Sequence, residues 1–262
     1  MSHNAVLTNG RYTKKDRGAL KKTLAALREF DGALLANTVG YIDPTPAHEC
    51  YMSGSIQPVT RIEGSTIGLA VTCEMDSSGP NQSADVDRFW QQLDEIQEMG
   101  LPVIWVVKSI GPRPDHECVA GDGMGKALHA SGCAGIVTDG RVRDLKGLAG
   151  IPLPVFAKGI SIHHSPMRIP RINIPVEVGG ITVHPGDILH GSAEGVVRIP
   201  KSCLHKLPEA AIRMWGFERD AHIVFSRPDL TARQKKERVL KILADYKFLP
   251  AGTRGGKREA VN

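Results

Sequence analysis

The sequence predicts a layered α/β fold, with a partly parallel sheet joined to antiparallel strands. Three observations carry this. Helix-like and strand-like segments alternate through the first half of the chain. Two of those strands, 103–107 (VIWVV) and 134–138 (AGIVT), are almost continuously apolar, as strands covered on both faces are. The second half instead holds short β-branched runs separated by Gly and Pro turns. Alternation followed by a β-rich stretch is how helices layered on a mixed sheet read in sequence.

Taken in order, residues 14–30 place Leu20, Leu24, Ala25, Leu27 and Phe30 at helical spacing between Lys and Arg, an amphipathic helix. Residues 34–63 are mixed and carry no clear period. A strand is expected at 66–73 (TIGLAVTC), then a polar loop over 74–85. Residues 83–99 repeat Val86, Phe89, Trp90, Leu93 and Ile96 as a helix does, with Gly100 placed as a C-cap and Pro102 beyond it. After strand 103–107, a polar loop leads to a helix over 123–130 and the strand at 134–138. A short strand is expected at 154–157, and antiparallel strands at 172–178, 180–183 and 195–199. Gly179-Gly180 and the His184-Pro185-Gly186-Asp187 run mark turns. A last helix is expected over 230–248.

Composition excludes several classes. The chain has 262 residues, 41% of them apolar and 23% charged, which suits a folded protein and not a disordered one. No apolar run reaches the ~18 residues of a spanning helix. The N-terminal MSHNAVLTNGRYTKKDRG has no apolar run behind its basic residues and does not read as a secretory signal, so a cytoplasmic setting is expected. Five cysteines without a CxxC pair argue against a disulfide framework or a cysteine zinc site, and Cys133, beside a buried strand, is expected in the core. The net charge of +5 divides into +6 over residues 1–28, −6 over 29–227 and +5 over 228–262. An acidic central region speaks against a nucleic-acid-binding core. The basic ends suit solvation first and a polyanion or partner contact second.

Chemistry concentrates between Gly121 and Asp144. Asp122 stands where a helix begins, and two uses are open there. It can cap the first turn, or it can sit in an anion site built from the free N–H groups. The GDGMGK run invites a phosphate-loop reading, but the spacing from the first Gly is wrong and Ala127 replaces Ser or Thr. It also fails as a dinucleotide fingerprint, because Lys126 falls where the last Gly belongs. Further on, Thr138 ends a strand, Asp139-Gly140 turns, and Arg141, Arg143 and Asp144 follow in what reads as a loop. Loops at carboxyl strand ends are where open α/β sheets bind ligands. Arg143 offers a planar donor fork for carboxylate or carbonyl oxygens, and Asp144 a hard ligand for a divalent cation that keeps its waters. An exposed Arg–Asp pair of little energetic consequence is the other reading of the same dipeptide. His163 and His164 are adjacent and would face opposite ways on a strand. No HExxH or GxSxG motif occurs.

The run AGDGMGKALHASGCAGIVTDGRVRD, followed by PVFAKG and IPVEVGGITVHPGDILHGSAEGVVRIP, resembles the RraA-like family of 4-hydroxy-4-methyl-2-oxoglutarate aldolases, oxaloacetate decarboxylases and regulators of ribonuclease activity. The likeness is good over 120–200 and weaker over 34–107. The family's aldolases carry Asp, twenty residues, then Arg-Asp, and here Asp122 is followed after twenty residues by Arg143-Asp144. The resemblance implies an α/β/β/α swivelling-type domain with mixed parallel and antiparallel strands. It implies an RraA-like catalytic domain over 31–205, which leaves the basic N-terminal helix (1–30), a helical extension (206–250) and a tail expected to be disordered (251–262), these read from periodicity and composition. It implies Mg²⁺ or Mn²⁺ on Asp144, with Arg143 facing the carbonyl oxygen of a 2-oxo acid and Asp122 holding water. Gly121 and the N–H groups of Gly123 and Met124 would receive the pyruvyl carboxylate. A trimer or hexamer is implied, with a carboxylate borrowed from a neighbouring chain, for which Glu209 and Glu218 are candidates. The activity implied is metal-dependent cleavage to pyruvate, or decarboxylation of oxaloacetate; the alternative is a silent protein that regulates a partner such as a ribonuclease. Two segments depart from the family pattern. Ser192 stands in the GSAEGV run where the family has Asp, and Val39-Gly40-Tyr41-Ile42 replaces its Ser-Asp-Ala-Leu.

Overall fold

The computed structural model describes residues 14–80, 83–164 and 166–248, so the tail expected at 251–262 lies outside the described residues. The chain divides into two compact units, Met1–Pro208 and Glu209–Asn262.

The first unit opens with helices α1 (Lys14–Leu27) and α2 (Gly32–Ile42). It continues through β1 (Gln57–Pro58), β2 (Thr66–Asp76), α3 (Asp87–Met99), β3 (Val103–Ser109), β4 (Cys118–Ala120), α4 (Asp122–Ala130), β5 (Cys133–Thr138), β6 (Arg141–Val142) and α5 (Leu145–Leu148). Then come β7 (Val155–Ala157), β8 (Gly159–Ile160), β9 (Arg168–Ile172), β10 (Val176–Val178), β11 (Ile181–Val183), β12 (Ile188–Ser192) and β13 (Gly195–Ile199).

The main sheet runs in the order β1-β7-β5-β3-β2-β12-β13, with β9 also paired to β2. Strands β2, β3, β5 and β7 are parallel, while β1, β9, β12 and β13 join antiparallel. The expected mixture of parallel and antiparallel strands is therefore what forms. The apolar runs behave as strands buried on both faces. Val103, Trp105 and Val107 enter one core with Phe89, Leu93 and Ile96 of α3, Leu128 of α4 and Leu148 of α5. Ile104 and Val106 face the other core, closed by Val176, Val178, Ile181 and Val183 of the β10–β11 hairpin. One polar relay crosses the first core. Trp105 Nε1 donates to Gln92 Oε1 at 2.9 Å, and Gln92 Nε2 donates to the Thr72 carbonyl at 3.0 Å.

Several elements differ from the sequence reading. The unreadable stretch from residue 34 includes most of α2, capped by Asp31 accepting from the Leu34 N–H at 2.7 Å. The loop expected to start at residue 74 starts later, because β2 continues to Asp76. Its acidic end is tolerated because Arg171 of β9 takes Glu74 bidentately and Arg168 pairs with Asp76. The strand expected over 172–178 is two strands, broken at Asn173, whose φ of 54° cannot continue an extended chain. β12 (Ile188–Ser192) is an additional buried strand. Helix α3 ends where expected, with Gly100 in the left-handed conformation at φ 61°. The five cysteines are all buried and free, with Cys133 in the core.

The second unit is a helical pair, α6 (Leu207–Phe225, which starts just before the division) and α7 (Ala232–Asp245). α7 starts on a Thr231–Gln234 capping box. Tyr246 donates to Asp220 at 2.7 Å, and the Arg213 guanidinium lies 5.6 Å over the Phe248 ring. Among the described residues, no helix is long and apolar enough to cross a membrane.

Candidate active site

A second, three-stranded parallel sheet, β4-β6-β8, positions the site. Arg141 does not lie in a loop after Thr138, as the sequence reading had it. It opens strand β6, which pairs with Cys118–Ala120 on one side and Gly159–Ile160 on the other. Asp139 is likewise more than a turn residue. Its carboxylate accepts from Lys108 Nζ at 2.5 Å and from the Ser109 N–H at 2.8 Å, tying the ends of β5 and β3 together.

Two adjacent carboxyl ends of this small sheet supply the predicted residues. β4 runs through Gly121 into α4, and β6 runs through Arg143 and Asp144 into α5. The Arg143 N–H donates to the Ala120 carbonyl at 3.0 Å, holding the two segments side by side. Gly121 is the N-cap of α4 and Asp122 its first residue, so Asp122 does not have the capping role considered for it. The N–H groups of Gly123 and Met124 belong to the open first turn, at the positive end of the helix.

Close approach depends on two glycines. A Cβ on Gly121 would lie 2.6 Å from Asp144 Oδ2 and 3.2 Å from Arg143 Nε. A Cβ on Gly147 would lie 2.6–2.8 Å from the Cβ, Cγ and Oδ2 of Asp122. So Asp144 lies against the start of α4, and Asp122 lies against α5. The structure thereby brings Gly121, Asp122, Arg143 and Asp144 together, with Gly123 and Met124 on the adjoining turn. Glu209 and Glu218 belong to the second unit, on α6, where Glu209 pairs with Arg213 at 2.9 Å.

Asp144 has an unusual backbone. It is the N-cap of α5 in the left-handed region, φ 57° and ψ 43°, yet its side chain makes no capping bond. Left-handed geometry is tolerated by Asp and Asn at modest cost. The carboxylate is thus left facing Arg143, with Nε 3.3 Å from Oδ2 and side-chain exposures of 31% and 39%. Half-exposed, the pair can meet both solvent and a ligand.

Sequence reasoning missed Lys126. Its Nζ lies 2.6 Å from Asp122 Oδ2. The Lys126 hydrogen bond, with help from the Gly123 N–H and the charge of Arg143, holds the Asp122 carboxyl below the usual carboxylate range. The signal was present as Asp and Lys four apart at a helix start. Beneath the site, burial pushes the Cys118 thiol up, against the opposing pull of Arg143, and keeps it protonated.

A divalent cation would find one exposed carboxylate in Asp144 and a second acid close by in Asp122. Among the described residues, no group of three or more His, Cys, Asp or Glu could hold a metal. That donor set fits a cation that keeps most of its waters, as Mg²⁺ does, and does not fit zinc.

Fold and site together describe a mixed α/β protein whose acidic residues and arginine line adjacent strand ends of a small parallel sheet. The RraA-like pattern, described as Aldolase/RraA, matches residues 42–198, and the chain belongs to that family. A Halalkalibacterium halodurans protein bearing the name 4-hydroxy-4-methyl-2-oxoglutarate aldolase is 41% identical over 87 residues, 32% of this chain and 40% of that protein. A Xanthomonas campestris pv. campestris protein bearing the same name is 35% identical over 82 residues, 31% of this chain and 49% of that one. The chain thus matches less than half the length of either relative. In fold it is similar to RraAS2 of Streptomyces coelicolor, described as an unusual member of the RNase ES inhibitor RraA protein family. The TM-score is 0.63 at 20% identity, covering 82% of this chain and 99% of that one.

Proposed function

We propose that the protein is a divalent-metal-dependent lyase that releases pyruvate from a 4-hydroxy-2-oxo acid by retro-aldol cleavage, or decarboxylates oxaloacetate. The observation that carries this is Asp144. Its carboxylate is withheld from capping, beside Arg143, at a backbone conformation that costs energy.

In either reaction the bond beyond the carbon next to the ketone breaks, and its electrons pass to the pyruvyl fragment as an enolate. In the retro-aldol case the 4-hydroxyl gives up its proton as it becomes a carbonyl. In decarboxylation carbon dioxide leaves. The enolate then takes a proton at carbon and becomes pyruvate.

Arg143 directs its planar donors at the ketone oxygen, where negative charge develops. The Gly123 and Met124 N–H groups receive the 2-oxo acid's carboxylate at the positive end of α4. Asp122, ionised beside Lys126, accepts from water next to the reacting carbon and orients it. Mg²⁺ or Mn²⁺ held by Asp144 would add positive charge beside the same oxygen.

We further propose that the protein works as a trimer or hexamer in the cytoplasm, with Glu209 or Glu218 as the carboxylate lent to a neighbour's site. A second reading, a regulator that binds a partner enzyme, draws support from Ile212, Trp215 and Ile223, apolar side chains about 60% exposed on α6. Pyruvate release from oxaloacetate and from 4-hydroxy-4-methyl-2-oxoglutarate, with Mg²⁺ and with chelator, tests the choice. Chelator-sensitive turnover supports the lyase. Absence of release from folded protein in saturating Mg²⁺ and Mn²⁺ overturns it.

A further inference from the structure

A cavity of about 1050 Å³ lies in the first unit, at the amino ends of the parallel strands, opposite the carboxyl ends near the site. Thr66 at the start of β2, Pro102 before β3, Cys133 at the start of β5 and Pro154 before β7 all line it. We infer that this cavity is an effector site for an organic anion with an apolar body, and that its occupancy is passed to the Asp122–Asp144 site through α4 and α5.

The ligand class follows from the lining. Leu24, Ile67, Ile96, Leu101, Ile151 and Leu153 give an apolar floor. The volume is at the upper end for small-molecule sites. Five charged residues line the cavity: Lys21, Arg28 and Arg61 against Glu29 and Glu63. Arg61 and Glu63 pair with each other at 3.3 Å. The balance is one positive charge, carried on the α1 side, where Lys21 and Arg28 outnumber Glu29. Arg28 Nε donates to the Ser65 carbonyl at 2.9 Å, which fixes its guanidinium there. The carbonyl ends of α3 and α4, at Gly100 and Ser131, line other parts of the wall and repel an anion. An anionic head is therefore steered to Lys21 and Arg28, with the apolar body on the floor.

The coupling follows from the two helices. α4 begins at Asp122 in the site and ends at Ala130, between the lining residues His129 and Ser131. α5 begins directly after Asp144 in the site, and the segment that follows it, 149–154, lines the cavity. These helices are packed without slack. A Cβ on Gly125 would lie 2.8 Å from Leu148 Cδ2 and 3.2 Å from Ile151 Cδ1, and Gly147 is pressed equally close to Asp122. A close-packed pair transmits a displacement at one end to the other. The effect reaches as far as the ligand's preference between the two arrangements allows.

The test uses sodium decanoate as probe and 1-decanol as its uncharged counterpart, with the full chain. Calorimetry is expected to show one saturable decanoate site, with decanol about tenfold weaker. Lys21→Ala with Arg28→Ala should weaken decanoate about tenfold or more. Ala25→Trp, which narrows the cavity from the exposed side of α1, should weaken decanoate binding about tenfold while leaving melting temperature and unliganded turnover unchanged. Decanoate should also slow hydrogen exchange over residues 122–126 in the wild type and, at the same concentration, less in Ala25→Trp. Equal binding of decanol, unchanged binding in both variants, or binding without a change in exchange would overturn the inference. The effect on rate rests on the lyase reading, where decanoate should alter pyruvate release about fivefold. Calorimetry and exchange need no turnover, so a protein that releases no pyruvate defeats the lyase reading and leaves this inference to be decided by those two measurements.

Discussion

Replacing Asp144 by Asn and Arg143 by Lys separates a working site from a solvated surface pair. The choice of Asn is dictated by the backbone. At φ 57° a residue such as Ala would add left-handed strain, whereas Asn adopts that region as readily as Asp. Asp144→Asn thus removes charge and leaves the start of α5 intact. Arg143→Lys keeps the charge but loses the fork whose Nε lies 3.3 Å from Asp144 Oδ2. With side chains 31% and 39% exposed, the pair is screened by solvent, so either change should alter stability by about 0–1 kcal/mol. Losing one preorganised donor to a developing oxyanion typically costs about 2.7–4 kcal/mol of barrier, roughly 100- to 1,000-fold in rate. Thermal melting and a coupled pyruvate-release assay, run on the same preparations at saturating Mg²⁺, read the two quantities separately. The expected outcome is near-wild-type melting with turnover down by about two to three orders of magnitude. Near-wild-type turnover in both folded variants would refute the site.

Three further outcomes are expected. Gly121→Ala places a Cβ 2.6 Å from Asp144 Oδ2, a mobile side-chain tip, so it should cost little stability yet raise the Mg²⁺ concentration for half-maximal turnover about tenfold, read by metal titration. Gln92→Leu strips the partners from Trp105 Nε1 and the Thr72 carbonyl inside the core, and urea unfolding should show a loss of about 1–3 kcal/mol per stranded group. Burial holds the His190 imidazole down to about 4, with Nε2 3.0 Å from the Phe30 carbonyl and Nδ1 without a partner among the described residues. The unfolded chain takes up that proton near the ordinary value of 6.5 and the folded one near 4. This contribution to stability is therefore full above about pH 6.5 and is lost as pH falls towards 4, at up to about 1.4 kcal/mol per unit. His190→Gln should flatten that part of a melting-versus-pH curve, and an unchanged slope would contradict it.

What was legible in the sequence was set by length and period. β3 reads as a strand because VIWVV is five apolar residues long, and α3 reads as a helix because its apolar stripe repeats before Gly100. β4, β6 and β8 have only two or three residues each, too few to show any period. Yet they form the sheet that aligns the site, and Arg141, which opens β6, reads as loop in the sequence. α2 was hidden because Gly32 and Gly40 dilute its apolar face, although the Asp31 cap before GALL was a usable signal. The amino-end cavity was not legible at all, because it is assembled from the ends of elements far apart in the chain.

The Asp–x20–Arg-Asp spacing was legible, and the fold gives it a physical meaning. Asp122 follows β4 and Asp144 follows β6, adjacent parallel strands of one small sheet, and each acid stands at the start of a helix. Between them the chain must run down α4, cross the main sheet as β5, and return along β6. Twenty intervening residues is the length of that circuit, so the spacing is a record of topology as well as of chemistry. An insertion within α4 or β5 would change which residue reaches the strand end. The same circuit explains why the two acids need glycines opposite them. Parallel neighbours lie only about 4.8 Å apart, and two helix starts at that spacing leave no room for a Cβ at Gly121 or Gly147. The dipeptide at 143–144 and the glycines at 121 and 147 are thus one geometric requirement, which is why the spacing discriminates where Arg-Asp alone does not.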